Sequence, residues 1–176
     1  MSSEKSICPY CGEDLIHRDW KPRIMKMYDG ETKHLLIRRL KCRKCNCLHN
    51  ELPDILIPHK HYAAEVIENV VDEISTPDDM TTLLYPCERT MARWKKWIRS
   101  NRTQIDGHLR SVSVRLFELP LEFLNSEKSL LDELRMRGAG WLSEISHILL
   151  NSSGRFLSEI TPWNFAPALS SCLSGP

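Results

Sequence analysis

Two Cys-x-x-Cys turns, Cys8-Pro9-Tyr10-Cys11-Gly12 and Cys42-Arg43-Lys44-Cys45-Asn46, stand 30 residues apart. Each such turn aims two thiolates at one point. Together they supply the closed tetrahedral sulfur set that zinc takes when its role is structural, with no open position for a catalytic water. Gly12 follows the second thiolate of its turn, where a knuckle needs a positive φ that glycine adopts at little cost. Asn46, at the equivalent place, is the next most tolerant residue. The chemistry expected is zinc ligation by Cys8, Cys11, Cys42 and Cys45. Cys47 and His49 lie close enough to Cys45 to offer a substitute ligand.

Other uses of paired cysteines fit less well. A thioredoxin-like redox pair needs one Cys-x-x-Cys at a strand-to-helix junction. Disulfides need an oxidising compartment, and Met-Ser-Ser-Glu-Lys-Ser runs into the first turn with no apolar export segment, so reduced thiols in a cytoplasmic protein are expected. No stretch approaches the roughly 18 apolar residues of a membrane span, and a soluble chain with no membrane partner is expected.

The elements that must position these cysteines are strands. Arg23 to Tyr28 and Glu31 to Lys41 read as extended runs joined by Asp29-Gly30, a dipeptide that favours a type I′ hairpin turn. The apolar residues of the two runs match period two only imperfectly, so the spacing supports a hairpin better than it specifies a register. A knuckle, a hairpin and a second knuckle make a zinc ribbon.

Helical patterns follow. Tyr62, Val66, Ile67, Val70, Val71 and Ile74 mark the apolar stripe of a helix from Lys60 to Ile74, with Glu65, Glu68, Asp72 and Glu73 on its wet side. Thr76 and Pro77 read as the N-cap and first position of a short helix running to about Leu84. Tyr85-Pro86 ends it, because the residue before proline is driven out of the helical region. Glu88 to Ser100 reads as a third helix packed through Met91, Trp94, Trp97 and Ile98. Leu119 to Met136 suggests one or two further helical segments, and Trp141 to Leu150 another, whose apolar faces are expected to cover Trp94 and Trp97. Thr161 to Leu169, with two prolines, is expected to be an irregular tail or docking peptide.

The formal net charge of +1 conceals segregation. From His17 to His49 ten Lys or Arg face three acids; from Glu51 to Thr82 eight acids accompany Lys60; between Cys87 and Arg115 eight Lys or Arg meet two acids. A basic ribbon carrying Arg38, Arg39, Lys41, Arg43 and Lys44 suits phosphate neutralisation. The third helix has the size and charge to enter a major groove as the last helix of a helix-turn-helix. Its first turn, with Glu88, Arg89, Thr90 and Arg93, would meet base edges. Lys95, Lys96, Arg99 and Arg102 would meet phosphates. The competing structural reading is a helical bundle whose last helix is basic on its solvated side.

Cys8-Pro-Tyr-Cys-Gly, Ile37-Arg-Arg-Leu-Lys-Cys-Arg-Lys-Cys, His49, Leu52-Pro53, Ile57-Pro58, Tyr62 and Thr90-Met-Ala-Arg-Trp-Lys-Lys-Trp carry a resemblance over residues 8 to about 100. The chain resembles a family of small bacterial zinc-ribbon proteins found with mobile elements. It is also similar to the N-terminal zinc-ribbon and helix-turn-helix region of insertion-sequence transposases. The resemblance implies that Cys8, Cys11, Cys42 and Cys45 hold zinc and that the helix from Glu88 to Ser100 touches DNA. Those transposases cut DNA with a separate ribonuclease-H-like domain, for which fewer than 80 residues remain here. No catalytic residue carries over, and no glycine-rich phosphate loop, His-Glu-x-x-His or Gly-x-Ser-x-Gly is present.

The expectation is therefore an α+β, mostly α chain: a zinc ribbon at 1–58, a helix-turn-helix at 59–103, a helical region at 104–160 and a tail at 161–176. Its expected role is non-enzymatic binding of double-stranded DNA linked to a mobile element, in recognition of element ends or in transcriptional control. Expected partners are a separate transposase or a second copy. The alternative is a protein adaptor or an accessory subunit of a nucleic-acid machine, and RNA is the alternative polymer.

Overall fold

Gly30, at φ 80°, lets the chain reverse after a long first strand. In the computed structural model, which describes residues 6–79, 86–117 and 127–153, that strand is β1 (Leu15–Lys26), paired antiparallel with β2 (Thr32–Cys42). A third strand, β3 (Leu48–Asn50), adds to the other edge of β2. Four helices follow: α1 (Ala64–Val71), α2 (Glu88–Phe117), α3 (Leu130–Met136) and α4 (Trp141–Ser153). The fold is α+β, with a three-strand antiparallel sheet ahead of the helices.

The hairpin is longer than its hydrophobic pattern suggests. β1 begins at Leu15, not Arg23, because His17 to Lys21 pair with Ile37 to Leu40 despite their polar composition. The turn is also not type I′, which requires positive φ at both central residues. Only Gly30 of the Asp29-Gly30 pair has it. The Gly30 N–H donates to the Met27 carbonyl at 3.3 Å and the Met27 N–H to the Glu31 carbonyl at 2.8 Å, so a turn followed by one left-handed residue closes the loop.

Directly opposed residues share a face of the sheet. One face carries Leu15 and Cys42, His17 and Leu40 and, past a bulge between His17 and Asp19, Trp20 and Arg38, then Pro22 and Leu36. The opposite face carries Ile16 and Lys41, Asp19 and Arg39, Lys21 and Ile37, then Met25 and Lys33. The first face is buried at the cysteine end, at Leu40 and Cys42. The second is buried at the turn end, where Met25 and Ile37 join the helical core. The sheet is thus covered on opposite faces at its two ends.

At the turn end the backbone ties sheet to helices. The Lys26 N–H donates to the His61 carbonyl at 2.7 Å and the Ala63 N–H to the Lys26 carbonyl at 3.0 Å. Residues 61–63 are therefore held extended, and α1 starts at Ala64 instead of Lys60. It ends at Val71 because Glu73 takes a left-handed conformation, φ 61°, with the Ser75 N–H on the Asn69 carbonyl at 2.9 Å. Of the short helix expected from Thr76 to Leu84, residues 76–79 form a turn, with the Asp79 N–H on the Thr76 carbonyl, and 80–85 lie outside the described residues.

The third helix corrects its expected end. α2 does not stop at Ser100 but continues to Phe117. Its buried stripe runs on through Asn101, Ile105, Leu109 and Val112. Asn101 interrupts the apolar pattern in sequence, yet its side-chain amide donates to the Trp97 carbonyl at 2.8 Å and so sits within the helix with its polarity satisfied. One buried cluster joins Ile57, Ile67 and Val70 to Trp94, Trp97 and Ile105 and to Trp141, Ile145 and Leu149; α4 packs against α2, while the Trp94 ring meets Tyr62 and the Lys60 ammonium lies over the Trp97 ring. The expected helical segment from Leu119 is described only from Glu127 on, as α3, and the tail at 161–176 lies outside the described residues.

Glu68 is the largest departure from the sequence pattern. Placed on the wet side of α1 by periodicity, it is 2% exposed. Its carboxylate accepts the Gly140 N–H at 2.8 Å and the Leu142 N–H at 2.6 Å, two donors at the start of α4. A helix N-terminus offers unpaired N–H groups and a positive dipole end, and here a carboxylate from another helix satisfies both. Asp72, one turn along, accepts the Trp141 indole N–H at 2.7 Å and ion-pairs with Arg135. α1 therefore orients α4 through two acids as well as through apolar packing.

Candidate metal centre and basic helix

The two cysteine turns have the same build. The Cys8 N–H donates to the Glu13 carbonyl at 2.8 Å, and the Cys42 N–H to the Cys47 carbonyl at 2.9 Å. Gly12 at φ 70° and Asn46 at φ 60° occupy equivalent left-handed positions. The β1–β2 pairing ends at Leu15 opposite Cys42, which brings the first turn against the second.

Cys8, Cys11, Cys42 and Cys45 come together with their Sγ atoms within 4.8 Å of one another. Cys11 and Cys42 are 3.4 Å apart, and Cys8 and Cys45 are 3.6 Å apart. A tetrahedral zinc with Zn–S bonds of about 2.3 Å separates its sulfurs by about 3.8 Å. The donor set and spacing are typical of a structural zinc site. Cys47 is buried outside this group, its carbonyl serving the second turn. His49, on β3, places Nε2 3.5 Å from the Cys8 sulfur and packs its ring 5.7 Å from Tyr10, and burial lowers its pKa.

The site is prepared for thiolates. Burial raises the Cys42 pKa, but the Cys45 N–H, 3.4 Å from its sulfur, the Cys11 thiol and the Lys44 N–H outweigh that, and it falls to about 6. Cys11 moves the other way: the Glu13 N–H lowers its pKa, while its hydrogen bond to Cys42, burial and Cys8 together raise it. Backbone N–H groups aimed at a sulfur favour the charged form that metal ligation requires.

The basic residues singled out in the sequence separate into three groups. Arg38 pairs with Glu51 at 2.5 Å, and Arg39 is bound through two nitrogens to Asp19, which lowers the Asp19 pKa. Lys41 is half-buried opposite Ile16, while Arg43 and Lys44 project from the second cysteine turn. On α2, Arg89, Arg93 and Lys96 are exposed at helical spacing, opposite buried Met91, Trp94 and Ile98. Thr90 is half-buried and accepts from Arg93 at 3.4 Å. Lys95 and Arg99 instead line a cleft of about 150 Å³ with Arg102, Arg135, Glu73 and Asp132. There Lys95 pairs with Glu73 at 3.0 Å and Arg102 with Asp132.

Sequence reading missed the partners. Asp19 and Glu51, which hold Arg39 and Arg38, are separated from them by 20 and 13 positions, and only the strand register reveals the pairing.

Among the described residues no helix is long and apolar enough to cross a membrane. No curated protein and no solved structure matches the chain. A family model, described as a domain of unknown function (DUF6431), matches residues 8–94, from the first cysteine to the middle of the tryptophan stripe of α2. The matched region is similar to that domain of unknown function, and its four-cysteine cluster, set on a β-hairpin, is consistent with a zinc ribbon.

Proposed function

We propose that this protein is a zinc-dependent, non-enzymatic binder of double-stranded DNA, in which the four cysteines hold the ribbon and α2 docks on the duplex. The observation that carries the reading is the row of Arg89, Arg93 and Lys96. All three are exposed on one side of α2, and no carboxylate among the described residues forms an ion pair with them. Cations that no carboxylate holds displace condensed counterions when they meet phosphates. Arg38, Arg39 and Lys95, by contrast, are held by Glu51, Asp19 and Glu73. The duplex contact is therefore assigned to the outer row of α2, with Arg43 and Lys44 as a second basic point on the ribbon.

Zinc, when bound, supplies four metal–sulfur bonds that lock the two turns to each other. The protein supplies the backbone N–H groups that lower the Cys42 pKa and so favour the thiolate that a metal takes. Recognition of the ends of a mobile element, or control of its transcription, is the setting proposed from the sequence resemblance.

The test is duplex binding by the zinc-loaded full chain. Replacing Arg93 and Lys96 by Ala should weaken binding and reduce the salt slope by about 2, one for each phosphate that is no longer neutralised. Replacing Arg38 and Arg39 by Ala should leave that slope unchanged. Equal effects from the two pairs would overturn the assignment to α2. A protein partner that survives both pairs while duplex binding is absent would favour an adaptor.

A further inference from the structure

β3 is a short strand, and its register decides what it contributes. His49 lies opposite Leu40 on β2, and Leu40 stands two residues before Cys42. Opposed residues share a face, and so do residues two apart along a strand, so His49 is on the face that carries Cys42. Its neighbours Leu48 and Asn50 are exposed, while His49 is half-buried. The ring reaches the first cysteine turn, where Nε2 lies 3.5 Å from the Cys8 sulfur. The Tyr10 ring packs against it with centroids 5.7 Å apart, so the turn that holds Cys8 also orients the imidazole.

The two cysteine turns differ at this point. The Cys42 sulfur takes the Cys45 backbone N–H at 3.4 Å, and the ring nitrogen facing the equivalent Cys8 sulfur is that of His49. We infer that His49 is a positioning residue of the metal centre, donating its Nε2–H to the Cys8 thiolate when zinc is bound. The inference rests on the zinc reading of the four cysteines. Ligation by His49 does not fit: the four sulfurs lie within 4.8 Å of one another as a complete tetrahedral set, and His49 is outside that group. Acceptance from a Cys8 thiol does not fit either, because a metal-bound cysteine has lost its proton. Donation is left, and a hydrogen bond to a charged acceptor is roughly twice as strong as one between neutral groups. Cys8 is 1% exposed, so its sulfur depends on donors from the protein. Four thiolates outweigh the charge of one zinc ion, and a donor at the sulfur draws off part of the excess.

The test is metal binding by the full chain and its His49 variants. His49→Phe keeps a ring against Tyr10 and removes the donor; His49→Gln keeps an N–H at similar reach. Zinc affinity of His49→Phe, measured by competition with a chromophoric chelator, should fall about 10–100-fold, the loss typical when the hydrogen-bond partner of a metal ligand is removed. His49→Gln should recover most of it, an order that a packing role would reverse. Cobalt(II) in place of zinc reports the ligands directly. Its ligand-field bands should be the same in the starting protein and in His49→Phe, because four sulfurs bind in both. The sulfur-to-cobalt charge-transfer bands should move to lower energy once Cys8 loses its donor. The inference is overturned if His49→Phe binds zinc as tightly as the starting protein, or if His49→Gln binds it no better than His49→Phe. Ligand-field bands that move with His49→Phe would equally overturn it and make His49 a ligand. A starting protein that takes up no metal would overturn the zinc reading along with it, an outcome distinct from the others because it precedes any substitution.

Discussion

The two ends of one hairpin are held by different physics. At the turn end, Met25 and Ile37 sink into the cluster built by α1, α2 and α4, and backbone hydrogen bonds from Lys26 and Ala63 fasten the strand to the entry of α1. At the cysteine end, Ile7, Tyr10, Ile16 and Leu48 remain exposed, and the buried groups are mainly the sulfurs themselves with Leu40. Apolar burial can hold the first end. The second has too little of it, and a small module in that position depends on a metal or another cross-link. The contrast teaches that a continuous sheet need not be one stability unit. It also explains why basic and aromatic residues are tolerated along its middle, where neither device reaches.

Stripping the metal breaks the comparison most strongly. A structural zinc contributes on the order of 10 kcal/mol to folding of so small a module. Chelation, or Cys42→Ser, should therefore abolish hydrogen-exchange protection at β3 and the cysteine end of β1 and β2, while α1, α2 and α4 keep theirs. Simultaneous loss of protection across all elements would show that the ends are not independent.

The reverse perturbation is smaller. Glu68→Ala leaves the N–H groups of Gly140 and Leu142 without their acceptor. The cost of unsatisfied buried donors is about 1–3 kcal/mol. Thermal unfolding of the helical part should shift down accordingly, with zinc stoichiometry unchanged. An unaltered melting temperature would mean that water replaces the carboxylate at no cost.

Gly12→Ala sharpens the comparison at its finest scale. A Cβ at Gly12 would meet no heavy atom within 4 Å outside its chain neighbours, so the substitution tests the φ of 70° alone. A left-handed residue with a side chain costs roughly 1–2 kcal/mol. Zinc affinity, measured by competition with a chromophoric chelator, should fall about tenfold while the melting of the helices stays fixed. Unchanged affinity would remove Gly12 from the account of the site.

Much of this was legible in the chain, and the failures have identifiable causes. The cysteine spacing, Gly12 and Asn46 were local signals, and local geometry decides a knuckle. The α+β class followed from a hairpin turn ahead of helical periodicities. The first half of β1 is concealed because His17 to Lys21 are polar, and their pairing comes from β2 across the hairpin. Asn101 hid the length of α2, since a residue that satisfies its own amide on the preceding turn looks polar in sequence but behaves as core. Glu68 illustrates the largest limit. Its partners lie more than 70 positions away, so periodicity assigned it to water where the fold assigned it to the end of α4.

The measurement that tests the central claim most directly is a salt series of fluorescence anisotropy with the zinc-loaded full chain and duplex DNA. Three to four phosphates neutralised along α2 predict that log K falls against log salt with a slope of roughly −3. Absence of duplex binding at low salt, or binding whose affinity does not change with salt, would contradict the account and move the protein to the adaptor class.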